Sequence, residues 1–320
     1  MFKLVKYAEM TKVAVVAVVG RTNAGKSTLV NNLVGEKISI VSPVEQTTRN
    51  TVRGIVSDAR GQLVLLDTPG LHKAVGKLGL LLNRMARRSA AGTDITCVVF
   101  DASQEPQLED VGWMQRVAKE APEKVVFVLN KADCAPFFET MYKEAWGEAV
   151  KARPAEDQVE PPVPIWVKCI ATTNGGTKSV ADALFDCAQE GDLLFDEDIV
   201  TDYPRKLTIA DVVREKYLAK MHQEVPHEMG VLVKQIKECT LKGEVCWNVI
   251  VDVLVNRVSQ KPIAIGKGAE IVKYVRKCAE RELSSIFDVK IKMEITVRVE
   301  PNWMKNERLL AEMGYLGNLV

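Results

Sequence analysis

The sequence predicts an α/β chain of two domains: a mixed sheet with helices on both faces, built around a phosphate-binding loop, then a smaller α+β domain. Three observations predict it. An apolar, β-branched run, Val13 to Val19, opens into Gly20–Ser27, which has the form G-x-x-x-x-G-K-S. That is a buried strand, a phosphate loop and a helix start. Further apolar runs of strand length alternate with helix-length segments, the rhythm of a mostly parallel sheet. After an acidic stretch, Gly191 to Pro204, the pattern changes to helix, two long strands, a glycine-rich turn, helix and strand.

In the phosphate loop, Gly20 and Gly25 allow a tight turn whose N–H groups point at phosphate oxygens. Lys26 brings positive charge to the β- and γ-phosphates, and Ser27 offers a hydroxyl to Mg²⁺. The helix that begins near Lys26 adds its positive dipole end and is expected to stop at Gly35. The polar piece Pro43 to Arg49 reads as a loop, and Thr47 and Thr48 within it are candidates for a Mg²⁺-binding hydroxyl. Two strands follow, Thr51 to Ser57 and Gln62 to Leu66. The second delivers Asp67-Thr-Pro-Gly70 to the sheet edge where ligands bind in open α/β folds. There Asp67 can hold the Mg²⁺ shell, and the Gly70 N–H can reach a γ-phosphate.

Ile95 to Asp101 and Val125 to Leu129 are the next strands, and the latter delivers Asn130-Lys-Ala-Asp133. The Asp133 carboxylate can accept from both the ring N–H and the exocyclic amine of guanine, whereas adenine presents an acceptor there. Asn130 can tie this loop to the phosphate loop, and the Lys131 stem can cover the base. Glu105 to Asp110 reads as an exposed acidic loop and helix start, Glu139 to Arg153 as an amphipathic helix, and Val163 to Ile170 as the last strand of this half. Three short patterns in this order, each at the end of an apolar strand, describe a guanine-nucleotide-binding domain.

In the second half, Ile209 to His222 has helical spacing. Val231 to Thr240 and Val245 to Val255 form a hairpin about Lys242-Gly243-Glu244. Gln260 to Ala269 is the glycine-rich turn, Glu270 to Ser284 a helix and Val289 to Val299 a strand. Trp247 reads as a core residue in preference to an exposed stacking surface.

With 47% hydrophobic and 27% charged residues over 320 positions, the composition is that of an ordinary globular protein of about two domains. Residues 203–320 hold 20 Lys and Arg against 15 Asp and Glu, leaving 23 against 27 for residues 1–202. That mild basic excess suits a nucleic-acid-facing second domain. Seven Cys without a C-x-x-C pair suggest reduced thiols in a cytosol-like compartment. No apolar run reaches the ~18 residues of a membrane span.

Gly-Arg-x-Asn-x-Gly-Lys-Ser-Thr-Leu, Gln-Thr-Thr-Arg, Asp-Thr-Pro-Gly-Leu-His and Asn-Lys-x-Asp together resemble the Era family of GTPases. The resemblance runs from about Lys12 to Tyr315. It implies a Ras-like G domain over residues 1–192, a linker at 193–204, a type II KH domain at 205–300 and a tail at 301–320. It implies a slow GTP hydrolase that binds the 3′ region of small-subunit ribosomal RNA and acts in small-subunit assembly. The nucleotide, GTP or GDP, would be held by Gly20, Asn23, Ala24, Gly25, Lys26, Ser27, Thr28, Asn130, Lys131, Asp133 and Ala171, and Mg²⁺ by Ser27, Thr48 and Asp67. Catalysis would rest on Lys26, Thr48, Gly70 and Asn23, with Asn23 also helping to hold a K⁺ ion. Leu71 stands where Ras-like enzymes carry the water-orienting glutamine, so hydrolysis should be slow or depend on another group. Ala171 is the nearest match to the loop whose N–H contacts the guanine oxygen, although the family's serine is absent there.

In the KH pattern Ile-Gly-x-x-Gly, a turn clamps four nucleotides. Lys261, Ile265, Gly266, Lys267, Gly268 and Lys273 fall in that region, with Ala269 replacing the final glycine. The tail, with Trp303 and a Gly-Tyr pair, either touches RNA or packs on the KH sheet. A rival reading is a GTP-regulated adaptor whose KH-like domain binds a protein or a membrane surface peripherally. The resemblance fits a monomer in a bacterial cytoplasm, or in a mitochondrial or plastid matrix.

Overall fold

The computed structural model describes residues 11–41, 49–70, 80, 82–83, 92–154, 159–221, 228–241 and 243–315. These fall into two compact units. One draws on residues 1–36, 51–72 and 86–202, the other on 37–50, 73–85 and 203–320.

In the first unit, β1 (Lys12–Val19) lies at the centre of the sheet, with Val16 to Val19 fully buried. Strands β2 (Val52–Asp58), β3 (Gly61–Asp67), β4 (Ile95–Asp101), β5 (Lys124–Asn130) and β6 (Ile165–Lys168) complete the order β2-β3-β1-β4-β5-β6. All neighbours are parallel except the β2–β3 hairpin. The two-residue β7 (Gln189–Glu190) adds an antiparallel pairing to β1. Helices α1 (Lys26–Val34), α2 (Leu108–Glu120), α3 (Glu139–Lys151) and α4 (Asn174–Cys187) connect the strands. Phe100, Phe127, Trp113 and Tyr142 fill the core between the sheet and α2–α3.

Register fixes the functional edge. Val18 pairs with Asp67, Asp101 with Asn130 and Leu129 with Lys168. The carboxyl ends of β1, β3, β4 and β5 therefore share one rim, where a nucleotide fold collects its loops.

The acidic stretch expected as a linker is strapped to this unit. Ile55 N–H donates to Val200 O, and the buried Gln62 side chain accepts from Leu194 and Phe195 N–H. Thr201 Oγ1 donates to Arg53 O, and Arg53 pairs with Asp202 at 2.7 Å.

The second unit has the sheet order β10-β9-β8, from β8 (Gly230–Leu241), β9 (Glu244–Val255) and β10 (Lys290–Val299). β8 and β9 form an antiparallel hairpin, and β10 runs parallel to β9. Alternation along the strands gives the sheet two different faces. Val231, Val233, Val251 and Val253 pack under α5 (Arg205–Lys220) and α7 (Glu270–Phe287), with Ala264 of the short α6 (Gln260–Ile265) in the same core. Trp247, as expected, belongs to it.

On the other face Leu232 and Leu254 are covered by Trp303, Met313, Tyr315, Leu82 and Leu310 of α8 (Glu307–Glu312). Trp303 is fully buried and its Nε1 donates to Glu228 O at 2.9 Å. Of the two roles considered for the tail, packing on the sheet is therefore the one its tryptophan plays.

One expectation fails here. Cys239 and Cys246 form a disulfide rather than two reduced thiols. They sit directly opposite in the hairpin register, with Cα atoms 5.1 Å apart, within bridging reach.

Candidate functional site

The apolar strand β1 ends abruptly at Gly20, and the chain turns through Asn23 (φ 60°) and Gly25 (φ 97°) into α1. Positive φ at Gly25 requires glycine, and a Cβ there would stand 2.2 Å from Asn130 Nδ2. Ala24 is fully buried and Lys26 is 6% exposed. Lys26 Nζ donates to Arg21 O at 2.7 Å. Burial pushes the Lys26 ammonium down to about 8, against the pull of the Asp67 carboxylate. Ser27 and Thr28 follow in the first turn of α1.

At the end of β3, Asp67 is fully buried and Thr68 Oγ1 donates to Val18 O, fixing the turn beside β1. A Cβ on Gly70 would lie 2.7 Å from Thr22 N and 2.9 Å from Lys26 Nζ, so only glycine lets this turn close on the phosphate loop. The Ser27 hydroxyl and the Asp67 carboxylate are hard oxygen donors of the type Mg²⁺ takes. The Lys26 ammonium beside them suits the phosphate oxygens that share such an ion. These residues fit a magnesium nucleotide, in which the ion would neutralise phosphate charge.

At the end of β5, Asn130 Nδ2 donates to Ala24 O (2.9 Å) and its Oδ1 accepts from Ala171 N–H (3.0 Å). One side chain thus joins the phosphate loop, the Asn130–Asp133 turn and the loop after β6. Lys131 has φ 63° and its Nζ reaches Asp101 at 2.6 Å; Asp133 is exposed beyond it. The Ala171 N–H, expected to face a guanine oxygen, is instead bonded to Asn130. The strand before it is also shorter than expected, Ile165–Lys168 rather than Val163 to Ile170.

Three residues to which the motifs assign no role, Arg21, Asp101 and Asp110, support this rim. Arg21 pairs with Asp101 at 3.2 Å and with Asp110 at 3.1 Å. Burial alone would raise the Asp101 carboxyl, but hydrogen bonds from Lys131 and Ser103 with the Arg21 charge hold it below its ordinary value. Burial raises the Asp110 carboxyl, only partly offset by the Gln107 N–H and Arg21. Asp110 is therefore not the exposed acid that its sequence neighbours suggest. It is fully buried, where it closes a capping box on α2 and lies 3.2 Å from Tyr142 Oη.

In the second unit the glycine-rich turn follows α6. Gly266 (φ 77°), Gly268 (φ 59°) and Ala269 (φ 62°) all have positive φ, the last two in the left-handed helical region. Ala269 takes this conformation despite its Cβ, at a cost of about 1–2 kcal/mol. Lys261, Lys267 and Lys273 are exposed around the turn, and Lys273 Nζ donates to Gly268 O at 3.0 Å. Ile265 is packed against the core.

Comparison with known proteins agrees with this arrangement. Residues 15–131 match the family described as 50S ribosome-binding GTPase, and residues 234–304 match the KH domain. GTPase Era of Ruminiclostridium cellulolyticum is 33% identical over 303 residues, covering 95% of this chain and 97% of that protein. GTPase Era of Geobacter sp. is 34% identical over 301 residues, covering 94% and 96%. The chain belongs to the Era GTPase family. A crystal structure of Era in complex with MgGDPNP and nucleotides 1506–1542 of 16S ribosomal RNA superposes with a TM-score of 0.83, at 30% identity over 95% of this chain and 99% of that one. A crystal structure of an Aquifex aeolicus Era point variant bound to GDP·AlF4⁻ gives the same values.

As an Era-family protein, the chain is a GTP hydrolase with a G domain followed by a KH domain. Thr47, Thr48 and Leu71, the residues its sequence nominates for the switches, lie outside the described residues. Among the described residues, no helix is long and apolar enough to cross a membrane.

Proposed function

We propose that this GTPase binds the 3′ region of small-subunit ribosomal RNA in its GTP state and releases it as GDP, acting in assembly of the small ribosomal subunit. The observation that carries this reading is the pairing, in one chain, of the Lys26–Asp67–Gly70 phosphate cradle with a glycine-rich turn at Gly266–Ala269 ringed by exposed lysines. The similar protein bound to MgGDPNP and 16S nucleotides supports it. In the cycle, Lys26 and the N–H groups of Gly20 to Ser27 hold the phosphates, with Ser27, Asp67 and Thr48 as the Mg²⁺ set. Asp133, assisted by Asn130 and Lys131, selects guanine. Binding of the γ-phosphate and its Mg²⁺ then draws in Thr48 and Gly70.

The test is a titration of a small-subunit RNA 3′-end oligonucleotide with a non-hydrolysable GTP analogue and with GDP, at several salt concentrations. Tighter binding with the analogue is expected. Contacts from Lys261, Lys267 and Lys273 should give a salt slope of about −2, using ~0.7 per phosphate for single strands. Absence of binding in both states would instead favour the adaptor reading, with the turn disabled at Ala269.

The same reading includes a K⁺ ion at the phosphate loop, held partly by Asn23, taking the place of an arginine finger. Its support is the exposed Asn23 at φ 60° in the loop that leads to Lys26. Turnover should be faster in K⁺ than in Na⁺ buffers, and equal rates would remove K⁺ from the mechanism. The place in the cell that this reading implies follows from its RNA partner: wherever small ribosomal subunits are assembled.

A further inference from the structure

Arg49 and Asn50 follow Thr48 directly, and both are buried in the second unit. Arg49 is 1% exposed, its Nη1 donates to Met229 O at 2.8 Å, and its guanidinium lies 5.9 Å from the Tyr315 ring centroid. Asn50 is 4% exposed, and its Nδ2 donates to Tyr203 Oη (2.9 Å) and to Met313 O (3.2 Å). Both N–H groups of the amide are thus engaged.

Tyr203 Oη in turn donates to Asp211 at 2.7 Å, and Asp211 stands 3.9 Å from the buried Arg214. Gly314, with φ 76°, shapes the turn that presents Met313 O. A Cβ there would come 2.8 Å from Leu207 and 3.2 Å from Asn50 Oδ1. At the start of the same loop, Lys37 Nζ reaches Glu215 (2.8 Å) and Glu282 (2.7 Å).

The cluster is a buried polar network rather than apolar packing. Two guanidiniums, Arg49 and Arg214, face one carboxylate, and burial followed by the Arg49 charge pushes Arg214 down to about 10. Each buried polar contact costs about 1–3 kcal/mol if its partner is withdrawn. Neighbouring Cα atoms are held about 3.8 Å apart. Capture of Thr48 by nucleotide therefore cannot be independent of where Arg49 and Asn50 are held.

We propose that Asn50, Tyr203 and the Met313–Tyr315 turn are positioning residues of the GTPase cycle, a clamp that transmits the nucleotide state from the loop ending at Thr48 to the KH module. This rests on the reading of that loop as the one GTP orders. The clamp gives the C-terminal Gly314–Tyr315 pair a role that RNA contact does not. Allosteric coupling requires one element whose equilibrium both sites bias, and Asn50 is joined to both by chain or by hydrogen bonds.

The experiment compares the full chain with its Asn50→Ala and Tyr203→Phe variants. Affinity for the RNA 3′-end oligonucleotide is measured with GTP analogue and with GDP, and nucleotide affinities are measured with and without RNA. Coupling of this kind is typically about 5- to 150-fold and is reciprocal. Both variants are expected to bring the analogue-to-GDP ratio of RNA affinities to within about twofold of one, in line with that reciprocity. Val251→Ala, in the KH core, is expected to lower thermal stability while keeping the ratio. A wild-type ratio above one that survives in both clamp variants overturns the clamp alone. A wild-type ratio of one removes nucleotide gating itself, and the clamp with it.

Discussion

Asp133→Asn is expected to turn this GTPase from guanine to xanthine nucleotides. The ring N–H and exocyclic amine of guanine both donate, and a carboxylate accepts both in a bidentate pair. A carboxamide accepts one and turns an N–H₂ toward the other. Xanthine carries an oxygen where guanine carries the amine, so it complements the carboxamide. Losing one charge-assisted bond of about 1.5–3 kcal/mol, weakening the other to a neutral one and setting an N–H₂ against a donor predicts a fall in GTP affinity of about a hundredfold. Asp133 suits this test because it is exposed at the end of the β5 turn, so its replacement disturbs no packing. The turn itself is held from behind by Asn130 on Ala24 O and Lys131 on Asp101. Competition binding with GTP, ITP and XTP decides the matter. Unchanged GTP affinity in the variant would mean that base recognition lies elsewhere on this rim.

The features easiest to read from the sequence are those in which local pattern and tertiary role coincide. β1 is apolar because both its faces are covered, and the glycines after it mark a backbone that must turn. The KH hairpin is legible for the same reason: alternation on two long strands about a Lys242-Gly243-Glu244 turn. The pairing of Leu241 with Glu244 sets the register that places Cys239 opposite Cys246, so the disulfide follows from the hairpin, although composition alone argues for free thiols.

Other features depend on partners far away in sequence. Asp110 sits among exposed acids and differs from them because partners far away in sequence, Arg21 89 residues earlier and Tyr142 32 residues later, reach it. Gly191 to Pro204 has neither helical nor strand periodicity, yet its backbone bonds to Gln62 and Ile55, a strap that side-chain pattern cannot reveal. Asn50 lies just past the Gln-Thr-Thr-Arg motif and belongs to none of the quoted patterns. Its importance rests on Tyr203 and Met313, which only the fold brings to it.

Lys26 carries the second large effect, and it reverses sign between binding and stability. In the nucleotide-free protein, burial holds its ammonium near about 8, below the ordinary 10.5. Only the protonated form can neutralise β- and γ-phosphates, and phosphates in turn restore the proton. GTP-analogue affinity should therefore be flat below about pH 8 and fall toward tenfold per pH unit above it, with proton uptake on binding. Calorimetry in buffers of different ionisation enthalpy, up to about pH 9 so that the guanine itself does not titrate, reads both quantities. An affinity independent of pH over that range would refute the buried-ammonium account.

Lys26→Met should lower affinity on the order of a thousandfold and abolish the pH dependence. For stability the folded-state value is the depressed one, so the unfolded chain binds more protons between about pH 8 and 10.5. The penalty of the buried charge is complete below that window, and it disappears as pH rises through it. Nucleotide-free protein should therefore gain stability across the window, and Lys26→Met should not show the rise. At pH 7 the variant should be as stable as the parent or more so, by up to about 3 kcal/mol, less the lost bond to Arg21 O. A buried lysine that weakens the empty fold is what a phosphate site predicts: its charge would be compensated only when the nucleotide arrives.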